Sequence, residues 1–106
     1  MSNVVEYRRG QESLELLAAI GRSVYEVDDG NGAIVRVHAR DFIVRTDALV
    51  LGGAVSTPRR GDRVIERTSD GQEIAHEVTS ISGQPEWDYS DQARKTMRIH
   101  TKQATA

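Results

Sequence analysis

The stretch RSVYEVDDGNGAIVRVHA, from Arg22 to Ala39, decides the fold. Its arms, Arg22 to Val27 and Ala33 to Ala39, are rich in β-branched residues and flank Asp28-Asp29-Gly30-Asn31-Gly32. Glycine, asparagine and aspartate accept the positive φ angles that a tight reversal needs, so the stretch predicts a β-hairpin.

The same logic extends along the chain. Arg63 to Arg67 and Gln72 to Ile81 read as the arms of a second hairpin turning at Ser69-Asp70-Gly71. Its longer arm puts Ile74, His76 and Val78 on one face and Glu73, Ala75 and Glu77 on the other. Near the end, Lys95, Met97, Ile99 and Thr101 alternate with Thr96, Arg98, His100 and Lys102, which predicts a strand with one wet face. Arg40 to Arg45 continues as a strand through Phe42 and Val44. Beyond it, Thr46-Asp47 can cap one short helical turn ending at Gly52-Gly53. Thr57-Pro58-Arg59-Arg60-Gly61-Asp62 reads as a turn in which Pro58 presets φ and Gly61 takes a conformation that other residues avoid. Ser13 to Ile20 fits a capped helix or a strand. A strand running into the first hairpin is the better reading, since a lone helix in a β chain needs its own packing surface.

Composition agrees with this reading. Valine and isoleucine number 18 against five leucines, a bias toward pleated, half-buried surfaces. In 106 residues there is room for one modest core, so we expect a single domain over residues 1–102 with a disordered tail over residues 103–106. The fold class is mainly β: a small antiparallel barrel or sandwich of about six or seven strands with at most one short helix. Fourteen basic and sixteen acidic residues are interspersed, which argues against a dedicated nucleic-acid or membrane-surface protein. The absence of cysteine excludes a disulfide framework and a thiolate metal site. The polar start, Met1 to Gly10, lacks the apolar stretch of a signal peptide, and we expect a protein that stays in the compartment where it is made.

Residues that could carry chemistry do not assemble into a catalytic pattern, so no enzyme and no cofactor are expected. His38, His76 and His100 fall on three predicted strands, where solvated or edge positions are the simpler reading than a metal site. Asp28-Asp29 and the pair Glu86 and Asp88 read as turn and solubility residues rather than an acid/base pair. Arg60-Gly61-Asp62 spells an integrin-type tripeptide but reads as the glycine turn before a strand. Two features point instead to docking. Arg59, Arg60 and Arg63 cluster around a turn, and Trp87 and Tyr89 stand in a polar loop of a chain with five aromatic residues. Trp87 and Tyr89 either fold back to lid the barrel or project as anchors for a neighbour.

The segment Pro58-Arg59-Arg60-Gly61-Asp62-Arg63-Val64-Ile65, the turn at Gly71, Glu77-Val78 and the strand ending Arg98-Ile99-His100-Thr101-Lys102 resemble the small β-barrel neck proteins of tailed bacteriophages. These are the head-completion, head–tail joining or stopper proteins. The resemblance covers about half the chain and implies a virion or prophage structural protein. In that role it would form a homo-oligomeric ring, a hexamer, between the portal–adaptor assembly and the tail, with DNA passing through. Assembly would take place in the host bacterial cytoplasm, without a membrane, and the final location would be the virion neck. Arg59, Arg60, Arg63, Trp87 and Tyr89 are then the expected subunit or partner interface. The alternative is a small nucleic-acid-binding β-barrel that uses the same five residues to stack bases and hold phosphates. A metal-dependent hydrolase built on the three histidines is a more distant rival.

Overall fold

The computed structural model describes residues 2–104 and, among them, contains strands and turns but no helix. Nine strands follow in order: β1 Ser2–Arg9, β2 Glu12–Asp28, β3 Ile34–Arg45, β4 Val50–Leu51, β5 Ala54–Val55, β6 Arg63–Arg67, β7 Glu73–Val78, β8 Trp87–Tyr89 and β9 Thr96–Gln103. Seven form one antiparallel sheet in the order β3-β2-β1-β6-β7-β9-β8, and β3 also pairs with β9. That last pairing, Arg40 with Thr101 through Arg45 with Thr96, closes six strands into a barrel and leaves β8 as an added strand beside β9.

Both expected hairpins form. Ser13 to Ile20 is a strand, and it runs without interruption into the first hairpin as the 17-residue β2. Arg40 to Arg45 is likewise continuous with the hairpin's second arm as β3. The second hairpin's longer arm ends at Val78 rather than Ile81.

Four expectations are corrected. No helical turn follows Thr46: its hydroxyl donates to the carbonyls of Arg94 and Lys95 instead of capping a helix. Gly52 and Gly53, at φ +60° and +81°, then fold the segment into the β4–β5 hairpin. Trp87 to Tyr89, expected in a loop, is a strand paired with Met97 to Ile99. The wet face assigned to β9 is dry at His100, which is 4% exposed, because the segment after β7 runs beside it. There the Thr79 amide donates to the His100 carbonyl, and the His100 amide donates to the Glu86 carbonyl. His76 is also buried rather than solvated, since it points into the barrel. Of the expected tail, Gln103 lies in β9 and the Ala104 amide donates to the Ala75 carbonyl, while residues 105–106 fall outside the described residues.

Alternation decides what fills the barrel. Val5 and Tyr7, Leu16 and Ala18, Phe42 and Val44, Val64, Val78, and Met97 and Ile99 point inward from six strands and form one buried cluster. Leu49 and Leu51, carried by the β4 segment, join that cluster and plug the end at which β3 finishes. The other end is built differently. Beyond Ala19, β2 pairs only with β3 among the described residues, and β3 before Arg40 pairs only with β2. Arg22 to Asp28 and Ile34 to Ala39 therefore leave the barrel as a two-stranded ribbon, about 20 Å long at the usual rise per residue.

Candidate assembly surface

Asp62 organises the turn that the sequence singled out. Gly61 holds φ at +93° and donates its amide to the Val78 carbonyl, while the Val78 amide donates to the Asp62 carbonyl. This pins the start of β6 to the end of β7. The Asp62 side chain is turned inward and 5% exposed. It accepts hydrogen bonds from the Tyr7 hydroxyl, from Arg9 Nη2 at 2.8 Å and from the Arg59 amide at 3.0 Å. The arginine pair and the backbone donor compensate a carboxylate that burial would otherwise penalise. Burial, reinforced by the Asp62 hydrogen bond, pushes the Tyr7 phenol far above its ordinary range. With its acid buried, Arg60-Gly61-Asp62 cannot present an integrin-type loop; its aspartate is structural.

Of the five residues expected at an interface, three come close together. Arg60 projects from the turn and reaches Glu86, with Nη2 3.1 Å from Oε1. Glu86 directly precedes β8, so this pair ties the arginine turn to the aromatic strand. Trp87 is partly buried and packs on the core, and Tyr89, 44% exposed, meets its ring edge-on at a centroid distance of 5.0 Å. The Arg94 guanidinium lies 5.3 Å from the Tyr89 ring centre. One aromatic thus lids the barrel and the other projects. Arg59 is exposed at the same turn. Arg63 stands apart on β6, opposite Glu77 on one side and Arg8 on the other.

Two further buried polar groups matter: Asp41, which the sequence did not single out, and His76, which it placed at a solvated position. Asp41 is 0% exposed and accepts from Ser23 Oγ, from Arg98 Nη1 at 2.7 Å and from His100 Nδ1 at 2.9 Å, with the Tyr25 hydroxyl 3.2 Å from that ring nitrogen. Burial pushes the Asp41 carboxyl up, but the hydrogen bonds from His100, Ser23 and Arg98 outweigh it and hold it below the ordinary range. The serine donates to the aspartate rather than to the histidine, so the trio is a brace for β2, β3 and β9 and not a nucleophile with its base. Gly21 leaves room for it: a Cβ there would stand 3.1 Å from Arg98 Nη1. The second group is His76. Its Nε2 is 2.8 Å from Glu66 Oε1 but poorly aligned, and neither ring nitrogen has a hydrogen-bond partner among the described residues. Among those residues no three histidine, aspartate or glutamate side chains are grouped to hold a metal ion.

A family model described as phage head-tail joining protein matches residues 1–106 of the chain. The chain belongs to that family. No curated protein and no solved structure matches it. Membership in the joining family makes the protein a component of the phage head–tail connector, located at the virion neck, where it interacts with other head and tail proteins. The family is a structural one. The braces at Asp62 and Asp41 tie β1 to the turn before β6, and β2, β3 and β9 to one another, which stiffens the barrel.

Proposed function

We propose that the protein is the repeating subunit of a ring, six copies around, that joins the portal–adaptor assembly to the tail and lets DNA pass through its centre. It works by docking and not by catalysis, and it assembles in the cytoplasm of the bacterial host. The observation that supports the reading is the Arg60–Glu86 pair, which ties the arginine turn to the start of the strand that carries Trp87 and Tyr89. An arginine turn next to an exposed tyrosine is the composition that dominates protein interfaces. Arg63, which stands apart on β6, would make a separate contact. Closed cyclic assembly requires a different patch on each side of the subunit, and the molecule offers one, because its ribbon leaves from the end opposite the plug.

The test is assembly with its neighbours. Native mass measurement and electron microscopy of the protein, alone and mixed with its portal–adaptor partner, should show a six-copy ring seated on the connector. A protein that remains a monomer under both conditions rules the ring out. Arg60→Glu together with Tyr89→Ala should abolish the joint while leaving the barrel folded.

A further inference from the structure

The open end of the barrel carries an observation that the joint does not use. A cavity of about 540 Å³ lies at the base of the ribbon, lined by Ile20, Arg22, His38, Arg40, His76 and Lys102 among others. Arg40 is spent on Glu66, with Nε 2.5 Å from Oε1. Neither Arg22 nor Lys102 forms an ion pair among the described residues, so the mouth keeps a positive excess. His76, 4% exposed, adds Nδ1, which has no hydrogen-bond partner among the described residues, while its Nε2 stands 2.8 Å from Glu66 Oε1. A buried polar group left unsatisfied is costly, and one lining a cationic mouth is suited to an incoming acceptor.

The ribbon tip has the matching chemistry. Asp28 Oδ1 accepts from the Gly30 amide, and Asp29 Oδ1 accepts from the amides of Asn31 and Ala33. Each therefore uses one carboxylate oxygen to shape the turn, and both residues are exposed. Ile34, 68% exposed, stands opposite Asp28 in the ladder and so on the same face. The tip thus offers acid beside a branched apolar side chain, and the mouth offers cations beside Ile20. A paired ribbon about 20 Å long cannot bend its tip back to its own base. The occupant must come from another molecule.

We propose that the mouth of each barrel receives the Asp28-Asp29 tip, with Ile34, of a second copy of this chain. The inference rests on the ring reading and deepens it, because a tip-into-mouth contact is head-to-tail and is the kind that propagates around a closed ring. Charge complementarity selects the partner, and the opposite ends of one ribbon supply both halves.

Two double variants test it by sedimentation across a concentration series. Asp28→Asn with Asp29→Asn removes the tip charge but keeps both turn acceptors. Arg22→Gln with Lys102→Gln removes the mouth charge. Each should weaken self-association at least about tenfold while circular dichroism shows the fold intact. Mixed together they should form a heterodimer and stop there, because one intact tip meets one intact mouth. If the natural protein forms rings and both variants assemble equally well, the contact is refuted and the ring stands. If a mixture of the two variants shows no heterodimer, the contact is refuted as well. If the natural protein never assembles, alone or with its connector partner, both readings fall.

Discussion

Tyr7 donates its hydroxyl proton to the buried carboxylate of Asp62, which lies 55 residues further along the chain. The bond joins the end of β1 to the turn that launches β6, the two strands that pair as Tyr7 with Val64. Tyr7→Phe keeps the ring in the core and removes only the donor. It should cost about 1.5–3 kcal/mol, the range for a hydrogen bond to a charged group, read as a lower guanidinium midpoint with an unchanged slope. An unmoved midpoint would mean that Arg9 and the Arg59 amide satisfy Asp62 alone.

Acid should unfold the barrel partly through Asp41. Its carboxyl titrates below the ordinary value in the fold, so its contribution is complete above about pH 4 and is lost as pH falls through the folded value. Asp41→Asn should therefore be less stable than the natural protein at neutral pH and show a flatter acid limb. Denaturation midpoints across an acid pH series check this. A variant whose acid limb matches the natural protein's would place the sensitivity elsewhere.

His76 adds a second loss in the same direction, at higher pH. Burial pushes its imidazole below the ordinary value against the pull of Glu66, with the Arg40 guanidinium adding to the depression. The unfolded chain takes up the proton near pH 6.5 and the folded one does not. Stability is therefore full above that pH and declines as pH falls from there toward the folded value. His76→Phe, stacked on Phe42 where the imidazole now sits 5.3 Å from that ring, should abolish the decline. A slope that persists in the variant assigns it to another group.

Trp87 and Tyr89 should separate stability from assembly. Trp87→Ala strips a ring that packs on the core and should cost about 2 kcal/mol or more. Tyr89→Ala removes an exposed ring and should change stability by no more than about 0.5 kcal/mol while weakening attachment to the connector. Thermal unfolding and connector binding, measured on both variants, read the two effects independently. A Tyr89→Ala protein that binds normally would remove the tyrosine from the interface.

Period-two alternation and glycine turns made the hairpins around Gly30 and Gly71 legible in sequence, and the β-branched excess made the fold class legible. Both are local signals. The barrel's closure through β3 and β9 was not legible, because pairing between segments more than 50 residues apart, from Arg40 with Thr101 to Arg45 with Thr96, leaves no local trace. Asp62 was read as part of a turn and not as a hub, since its partners Tyr7 and Arg9 lie on a distant strand. His100 was taken as wet because alternation within β9 says nothing about the segment that covers it. Gly52-Gly53 was taken as a helix stop, although two adjacent glycines serve a two-residue hairpin at least as well. Of the residues proposed for docking, Trp87 and Tyr89 were visible from their rarity. The Arg22, His76 and Lys102 mouth was not, because three separate strands must curve together to make it.

The strand that closes the barrel is also the last of the nine to be synthesised. β9 pairs with β3, β7 and β8, so every one of them waits for Thr96–Gln103 before its ladder is complete. A nascent chain that has made eight strands holds an open sheet with bare edges on β3 and β7, the condition in which sheets recruit the wrong neighbour. Translation thus sets a clock on this protein: the edges of β3 and β7 are covered only once Thr96–Gln103 has been made.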